Sequence, residues 1–171
     1  YISLTIENIA NYFDWGWDKI LKQTDIVFHL AALTSVSSSW SNIREFEEVN
    51  VLGTINVLQQ VKKNNIKKMV FVSSAAVYGL PQKHFTGWTE EDNLNPTSPY
   101  GFTKRTGEEY CKLFESMGMS IIIARLSNVY GPEQLYSRGY TSAIPSFINA
   151  CFKEKSPIIH GDGQQKRDFV F

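Results

Sequence analysis

The strongest indication of the fold is KMVFVSSAAVYG, residues 68–79. Its apolar run MVFV has the length and the β-branched and aromatic content of a buried strand. The run ends in two small hydroxyl residues, Ser73 and Ser74. The carboxyl end of a parallel strand is where open α/β sheets bind their ligands. We therefore predict a buried strand over residues 68–73 and a candidate site at Ser74.

Around this stretch, short apolar runs alternate with longer amphipathic stretches, a pattern typical of βα repeats. Strands are predicted over residues 25–30, 68–73, 120–126 and 157–160. Helices are predicted over residues 5–13, 17–22, 43–63, 98–116 and 142–152, with a loop over residues 80–97. The sequence therefore predicts an α/β fold.

Downstream of the strand, SPYGFTK (98–104) places Tyr100 four residues before Lys104 on one face of a predicted helix. A free phenol has a pKa of about 10, and lowering it by ~3 units requires roughly 4 kcal/mol of stabilisation of the phenolate. An ammonium ~4 Å away supplies about 4 kcal/mol at an effective dielectric constant of ~20. The two residues can therefore form a proton-transfer pair, although a single pair of this kind also arises by chance.

The composition is that of an ordinary globular domain, with 43% hydrophobic residues, 20% charged residues and a formal net charge of 0. Balanced charge argues against nucleic acid or an acidic membrane as a partner, since both require a concentrated basic face. No apolar run approaches the ~18 residues of a membrane span, so we expect no membrane association. Cys111 and Cys151 are isolated, which favours a reduced, cytoplasmic compartment. The histidines, among them His29, are scattered and predict no metal site.

Six stretches resemble, in family order, the extended, nucleotide-sugar-modifying branch of the short-chain dehydrogenase/reductase superfamily, and in particular its NAD-dependent epimerase/dehydratase members. They are VFHLAALTSV (27–36), NVLGTINVL (50–58), SSAAVYG (73–79), SPYGFTK (98–104), RLSNVYGP (125–132) and GDGQQKRDFVF (161–171). Six ordered matches are far more specific than any single one of them.

The resemblance implies a Rossmann-like, doubly wound parallel sheet that is incomplete in its N-terminal half. Residues 1–135 would form a partial NAD-binding domain, and residues 136–171 the start of a small substrate-binding region. Family members hold the cofactor pyrophosphate on a Gly-rich turn after their first strand. The 11 glycines of this chain contain neither G-x-x-G-x-x-G nor G-x-G-x-x-G. We therefore expect this sequence to correspond to the middle of an epimerase-type enzyme.

The resemblance also implies roles for individual residues. Tyr100 would remove the proton of the sugar C4 hydroxyl, Lys104 would lower the phenol pKa and hold the nicotinamide ribose, and Ser74 would hydrogen-bond the reacting oxygen. Asn50 would be a structural member of the catalytic set that positions a water near the lysine, or else a simple helix cap. The expected NAD contacts are Ala31, Ala32, Asn50, Ser73, Tyr100 and Lys104, and the expected substrate contacts are Ser74, Asn128 and Arg167.

The small side chains of Ala31 and Ala32 would leave room for the nicotinamide ribose. Arg167, together with Asn128, would grip the diphosphate of a nucleotide sugar, because a guanidinium fork suits phosphate oxygens. Arg167 could instead form a surface ion pair with Asp168.

The expected function is therefore that of an NAD-dependent UDP-sugar 4-epimerase, acting as a homodimer through the helices at 43–63 and 98–116. Dehydratases of the family place an Asp-Glu pair after the strand-end hydroxyl residue, where this chain has Ala75 and Ala76, so a dehydratase is disfavoured. A nucleotide-sugar reductase or decarboxylase stays open. The alternative from another class is a non-catalytic, truncated fragment that acts as an oligomerising or interaction module.

The strand at 25–30 is a further point of interest, because in the family it lies inside the sheet next to a first strand that this sequence lacks. An open edge of unpaired N–H and C=O groups is a template for another chain. We therefore predict that this edge pairs with a second copy or is covered by the segment before residue 25.

Overall fold

The structure is a computed structural model, and it describes residues 9–10, 20–80, 87–132, 134, 142–159 and 161–171. The chain divides into two compact units, residues 1–125 and residues 126–171. The predicted domain boundary between residues 135 and 136 lies in a stretch outside the described residues and stays a prediction.

The first unit is an α/β unit. Its elements are β1 (Ile26–His29), α1 (Val36–Ser41), α2 (Ile43–Phe46), a π-helical segment (Glu47–Leu52), α3 (Gly53–Lys63), β2 (Lys68–Ser74), a 3₁₀ turn (Ala75–Val77), α4 (Pro99–Ser116) and β3 (Ser120–Leu126). The second unit contains β4 (Asn128–Val129), α5 (Ala143–Phe152) and β5 (Phe169–Val170). The predicted strands at 25–30, 68–73 and 120–126 and the helices at 43–63, 98–116 and 142–152 are confirmed to within one residue at each end.

The three strands of the first unit form a sheet in the order β1-β2-β3. β1 and β2 run parallel, with Ile26 opposite Lys68 and His29 opposite Phe71. The parallel pairing confirms the predicted α/β sheet, which is small and partial. In the part of the chain that the structure describes, β1 pairs with β2 and with no other strand. The carbonyls of Ile9 and Ala10 accept hydrogen bonds from Asn56 Nδ2 on α3.

The core lies between one face of this sheet and the helices α3 and α4. β2 alternates buried and partly exposed side chains, so that Met69 and Phe71 point into the core. Phe71 is fully buried, and an added Cβ on Gly107 of α4 would lie 2.6 Å from its ring. Glycine therefore lets α4 lie directly on the strand. The other members of the core are Leu21, Val57, Leu58, Val61, Ile66, Cys111, Phe114, Met119 and Ile121.

Several features differ from the prediction. The helix α1 was not predicted, because SVSSSWS lacks an apolar period; it forms behind an N-cap in which Ser35 Oγ accepts from Ser38 N at 3.1 Å. The predicted strand at 157–160 is wrong over 157–159, which form no strand, and residue 160 lies outside the described residues. Most of the predicted helices at 5–13 and 17–22 also lies outside them; residues 9–10 form a turn, and residues 20–21 are helical.

In the second unit, β4 and β5 pair in parallel, with Asn128 opposite Phe169 and Val129 opposite Val170. The ring of Tyr130 meets Phe169 and Phe171 edge-on, at centroid distances of 6.2 and 5.5 Å. None of the helices in the described ranges is both long and apolar enough to cross a bilayer.

Candidate active site

The carboxyl end of β2 and the first turn of α4 lie against each other. Ser98 caps α4 by accepting a hydrogen bond from Gly101 N at 3.1 Å, and Pro99 follows it at the start of the helix. An added Cβ on Gly101 would lie 2.6 Å from the carbonyl oxygen of Ala76. The helix can therefore approach the backbone after Ser74 only because glycine stands next to Tyr100.

Lys104 is buried on the same face of α4, one turn after Tyr100. Its Nζ donates to the carbonyl of Val72 at 2.8 Å and lies 5.0 Å from the centroid of the Phe71 ring. Burial lowers the pKa of Lys104 to about 8, while the nearby Cys111 and Glu108 raise it. The ammonium is thus held within the helix and strand interface and stays mostly protonated at neutral pH.

The two serines at the end of β2 have different environments. Ser73 is 3% exposed, and its hydroxyl donates to Glu108 Oε1 at 2.5 Å, so its side chain is directed into the core. Ser74 is partly exposed, and its Oγ accepts from Ala76 N at 3.2 Å. The hydroxyl group of Ser74 therefore lies on the accessible side of this strand end, as a site residue requires. A contact of Ser73 with a cofactor would have to use its backbone.

Asn50 lies inside the π-helical segment, which rules out the helix-cap interpretation. Its buried amide accepts from Leu33 N at 2.8 Å and donates to Leu33 O at 3.0 Å and to Thr103 Oγ1 at 3.1 Å. The side chain thus clamps the backbone that follows β1 and ties it to α4, beside Lys104. The predicted NAD contacts Ala31 and Ala32 lie in that clamped backbone, where Ala31 is exposed and Ala32 partly exposed.

His29 extends this polar cluster at the end of β1. The hydroxyl of Thr54 donates to the carbonyl of Asn50 at 2.6 Å, so its 2.9 Å contact with His29 Nε2 must be one in which the histidine donates. Burial, and the nearby Lys104, lower the pKa of His29 to about 4. The imidazole is therefore neutral at neutral pH, carries its proton on Nε2, and supports the π-helical segment.

A buried ion pair between Glu108 and Arg125 was not predicted from the sequence. Glu108 has no exposed surface, and Arg125 Nη2 donates to its Oε2 at 2.8 Å. Arg125 Nη1 also donates to the hydroxyl of Tyr78 at 2.9 Å. The position of Glu108, four residues after Lys104, is visible in the sequence, but its partner comes from a different element 17 residues further on.

The two remaining predicted substrate residues belong to the second unit. Asn128 Nδ2 donates to the carbonyl of Asp168 at 3.1 Å, and Arg167 is exposed, with Nη1 donating to the carbonyl of Lys166 at 2.8 Å. The alternative ion pair between Arg167 and Asp168 is not formed, although both residues are described. The Asp168 carboxylate instead accepts from Ser127 Oγ at 3.1 Å.

The first unit therefore joins seven predicted site residues, on segments that touch one another: Ala31, Ala32, Asn50, Ser73, Ser74, Tyr100 and Lys104. A parallel sheet with helices packed on it and candidate site residues at the carboxyl ends of its strands is the arrangement of Rossmann-like α/β proteins. A model of the NAD dependent epimerase/dehydratase family matches residues 10–171. The chain belongs to this family.

Three relatives of the chain differ in the reaction that their names give. It is 45% identical over 152 residues to a putative UDP-glucose 4-epimerase of Methanocaldococcus jannaschii, which covers 88% of the chain and 49% of that protein. It is 34% identical to the human dTDP-D-glucose 4,6-dehydratase, over 98% of the chain and 49% of that protein. A solved UDP-N-acetylglucosamine 4-epimerase of Methanobrevibacter ruminantium, in complex with UDP-N-acetylmuramic acid, superposes with a TM-score of 0.86 at 40% identity. That superposition covers 96% of the chain and 52% of the solved one, so the chain spans about half the length of its relatives.

Proposed function

We propose that the protein is an NAD-dependent nucleotide-sugar epimerase of the UDP-sugar 4-epimerase type. The observation that carries the proposal is Lys104, whose ammonium is buried one helical turn after Tyr100, against the carboxyl end of β2. The 4-epimerases among the similar proteins support the reaction class. Asn50, His29 and Thr54 form the polar support of this site.

The residues at the ends of β1 and β2 fit an NAD cofactor. The exposed Ala31 and partly exposed Ala32 leave space at the carboxyl end of β1, and Lys104, whose ammonium donates to Val72 O near the carboxyl end of β2, is the residue that would hold a ribose hydroxyl. NAD, when bound, supplies hydride acceptance and return at sugar C4. The family description agrees with this cofactor.

Residues of the chain itself carry out the proton transfer. Tyr100 takes the proton of the C4 hydroxyl, and the nearby ammonium of Lys104 stabilises the phenolate that this requires. Ser74, whose Oγ lies on the accessible side of the strand end, orients the same oxygen. Asn50 fixes the backbone beside Ala31 and Ala32 instead of acting on the substrate.

A dehydratase is the second candidate, since a relative of that class is 34% identical to the chain. Elimination of water needs an additional acid and base, and the positions after Ser74 are Ala75 and Ala76, whose side chains supply neither. This difference favours the epimerase. A non-catalytic interaction module is the remaining alternative, and its test is whether NAD stays bound to the purified protein.

The substrate class is tested with the full-length protein and its Arg167→Ala variant. We expect the parent to interconvert the C4 epimers of UDP-sugars and to leave the free sugars unchanged. Loss of the guanidinium from the exposed Arg167 should raise KM for the nucleotide sugar by about tenfold or more. KM and kcat are measured by chromatographic separation of the epimers.

The matched control is Lys166→Ala, which removes a neighbouring exposed cation. Its KM should stay close to that of the parent. Equal turnover of a free sugar and its UDP form would contradict the nucleotide-sugar proposal, and an unchanged KM in Arg167→Ala would remove that residue from the phosphate site.

We also propose a cytoplasmic homodimer. Cys111 and Cys151 are free thiols, in line with a reduced compartment. For the dimer, α4 presents a shallow groove lined by Phe102, Arg105, Thr106, Glu109, Tyr110 and Leu113. Phe102 is 56% exposed and Leu113 48%. A second copy related by a twofold axis would cover these apolar side chains and bring opposite charges together in the groove.

The dimer is tested by Phe102→Glu in the full-length protein. We expect a shift from dimer to monomer in light scattering, because a buried carboxylate at a twofold contact meets its own copy. Phe152→Glu is the control, since it alters an apolar side chain that is 86% exposed in the second unit. A Phe102→Glu protein that stays dimeric would exclude this face.

A further inference from the structure

The ion pair of Glu108 and Arg125 links the segments on which the proposed catalytic residues lie. Glu108 is on α4 one turn after Lys104, and its side chain is fully buried, whereas 15% of the Arg125 side chain is exposed. Arg125 Nε donates to the carboxylate at 3.0 Å and Nη2 at 2.8 Å. This two-pronged arrangement is the geometrically restrictive form of arginine and carboxylate pairing.

Both members of the pair hold the chain around Ser74. The other oxygen contact of Glu108 is the hydroxyl of Ser73, at 2.5 Å, immediately before Ser74. On the other side, Arg125 donates to the Tyr78 hydroxyl at 2.9 Å, and its guanidinium lies 5.0 Å from the centroid of that ring. The pair therefore holds a side chain on each side of Ser74, the hydroxyl of Ser73 before it and that of Tyr78 after it.

The contacts of this pair extend to the loop before α4. Trp88 stacks on Tyr78 with ring centroids 5.0 Å apart and an interplanar angle of 7°. Arg125 Nη1 also donates to the carbonyl of Glu90 at 3.2 Å. One buried charge pair thus connects α4, the end of β2 and the following loop.

Stability alone is a poor explanation for such a pair. Desolvation of two charges offsets most of their attraction, and an apolar pair of similar volume is often equally stable or more so. A pair of charges differs from an apolar pair in being directional, since its hydrogen bonds exist in one geometry only.

We propose that Glu108 and Arg125 are positioning residues for the reaction, which set Ser74 on β2 and Tyr100 on α4 in a fixed mutual orientation. Glu108 has no exposed surface, so it acts through Ser73 and does not touch the substrate. This inference rests on the proposed function, because it concerns the alignment of the residues that act on the sugar C4 oxygen.

The test is the double variant Glu108→Leu/Arg125→Met in the full-length protein. Its melting temperature should fall by only a few degrees, because the apolar pair fills the same space while the buried Ser73 hydroxyl loses its acceptor. We expect kcat to fall by at least about tenfold with KM within about threefold, since misaligned groups lose rate more than binding. The control is Arg44→Met/Glu48→Leu, an exposed pair with side chains 93% and 46% accessible, which should keep the parent kcat. A double variant of Glu108 and Arg125 that folds and keeps the parent kcat would overturn the proposal.

Hydrogen exchange separates this inference from the proposed function. In the double variant, the amides of residues 73–80 should exchange faster than in the parent, while those of α3 should not change. This readout needs no turnover. If the parent acted on no nucleotide sugar, the proposed epimerase function would be refuted. The exchange rates would still decide whether the pair positions residues 73–80. Unchanged exchange at residues 73–80 would overturn the positioning role.

If the double variant fails to fold, Arg125→Lys replaces it. Lysine keeps the positive charge opposite Glu108 but cannot reproduce the fork that also reaches Tyr78. A folded Arg125→Lys protein should still lose about tenfold in kcat. Parent activity in that variant would count against positioning.

Discussion

Replacement of Tyr100 by phenylalanine is expected to lower kcat for UDP-sugar interconversion by about 10²–10⁴-fold. The variant keeps the ring, which is 7% exposed and lies edge-on to Phe46 at 6.4 Å, so the fold should persist. It loses the hydroxyl that would accept and return the proton in the proposed reaction. KM should change little, because substrate binding does not depend on that proton. The measurement is steady-state turnover of the two epimers in the full-length protein.

The control for Tyr100→Phe is Tyr110→Phe on the same helix, a partly buried tyrosine packed against the core. It tests whether loss of any phenol hydroxyl from α4 affects turnover. We expect activity close to that of the parent. Near-normal turnover in Tyr100→Phe would remove that residue from the reaction.

Replacement of Lys104 by methionine is expected to weaken NAD binding and to move the pH optimum of kcat/KM upward. In the parent, the ammonium is lost as the pH rises through the pKa of Lys104, about 8, so kcat/KM should fall on that side. The variant has no such group. Without the neighbouring charge, a phenol whose ordinary pKa is about 10 ionises only at higher pH. The pH profile and NAD affinity are the measurements, and Lys112→Met, an exposed lysine paired with Glu109, is the control.

The same substitution has a consequence for stability without cofactor. The pKa of Lys104 is lowered from 10.5 to about 8 by burial, so between these values the unfolded chain binds a proton that the folded chain has released. The free energy of unfolding should therefore rise with pH across this window, by roughly 3 kcal/mol at most. Lys104→Met should lack the rise. Identical pH dependence of denaturant unfolding in parent and variant would show that Lys104 is not desolvated.

The sequence predicted the elements whose signals are local. β2 shows a dense apolar run, and α4 begins with Ser98 and Pro99, so the boundaries of both are close to the predicted ones. The proximity of Tyr100 and Lys104 follows from helical periodicity alone. The site residues that the resemblance predicted in the first unit lie on segments that touch one another. They do so because a parallel sheet brings the carboxyl ends of its strands to the same edge.

The sequence could not predict the features that depend on contacts between distant segments. Ile158 and Ile159 form an apolar run, but they are 78% and 61% exposed, and no strand forms there. A strand needs a neighbour, and the short pairing of this unit uses Phe169–Val170 instead. The sequence does not show that Arg125 is the partner of Glu108 for the same reason, because the two residues meet only when β3 lies beside β2.

The π-helical segment has a consequence for aligning and splicing this helix with those of other proteins. A π-helical turn holds about one residue more than an α-helical turn. Deleting one residue within Glu47–Leu52 would let the helix continue as regular α with its two halves facing as before, because the wide turn absorbs the extra residue. Leu58 and Val61 would then stay in the core, whereas Asn50, inside the wide turn, would lose the position from which its amide bonds Leu33. A gap of one residue placed here in an alignment therefore marks loss of the π turn and of the Asn50 contact with Leu33, and a chimera must exchange the segment as a whole.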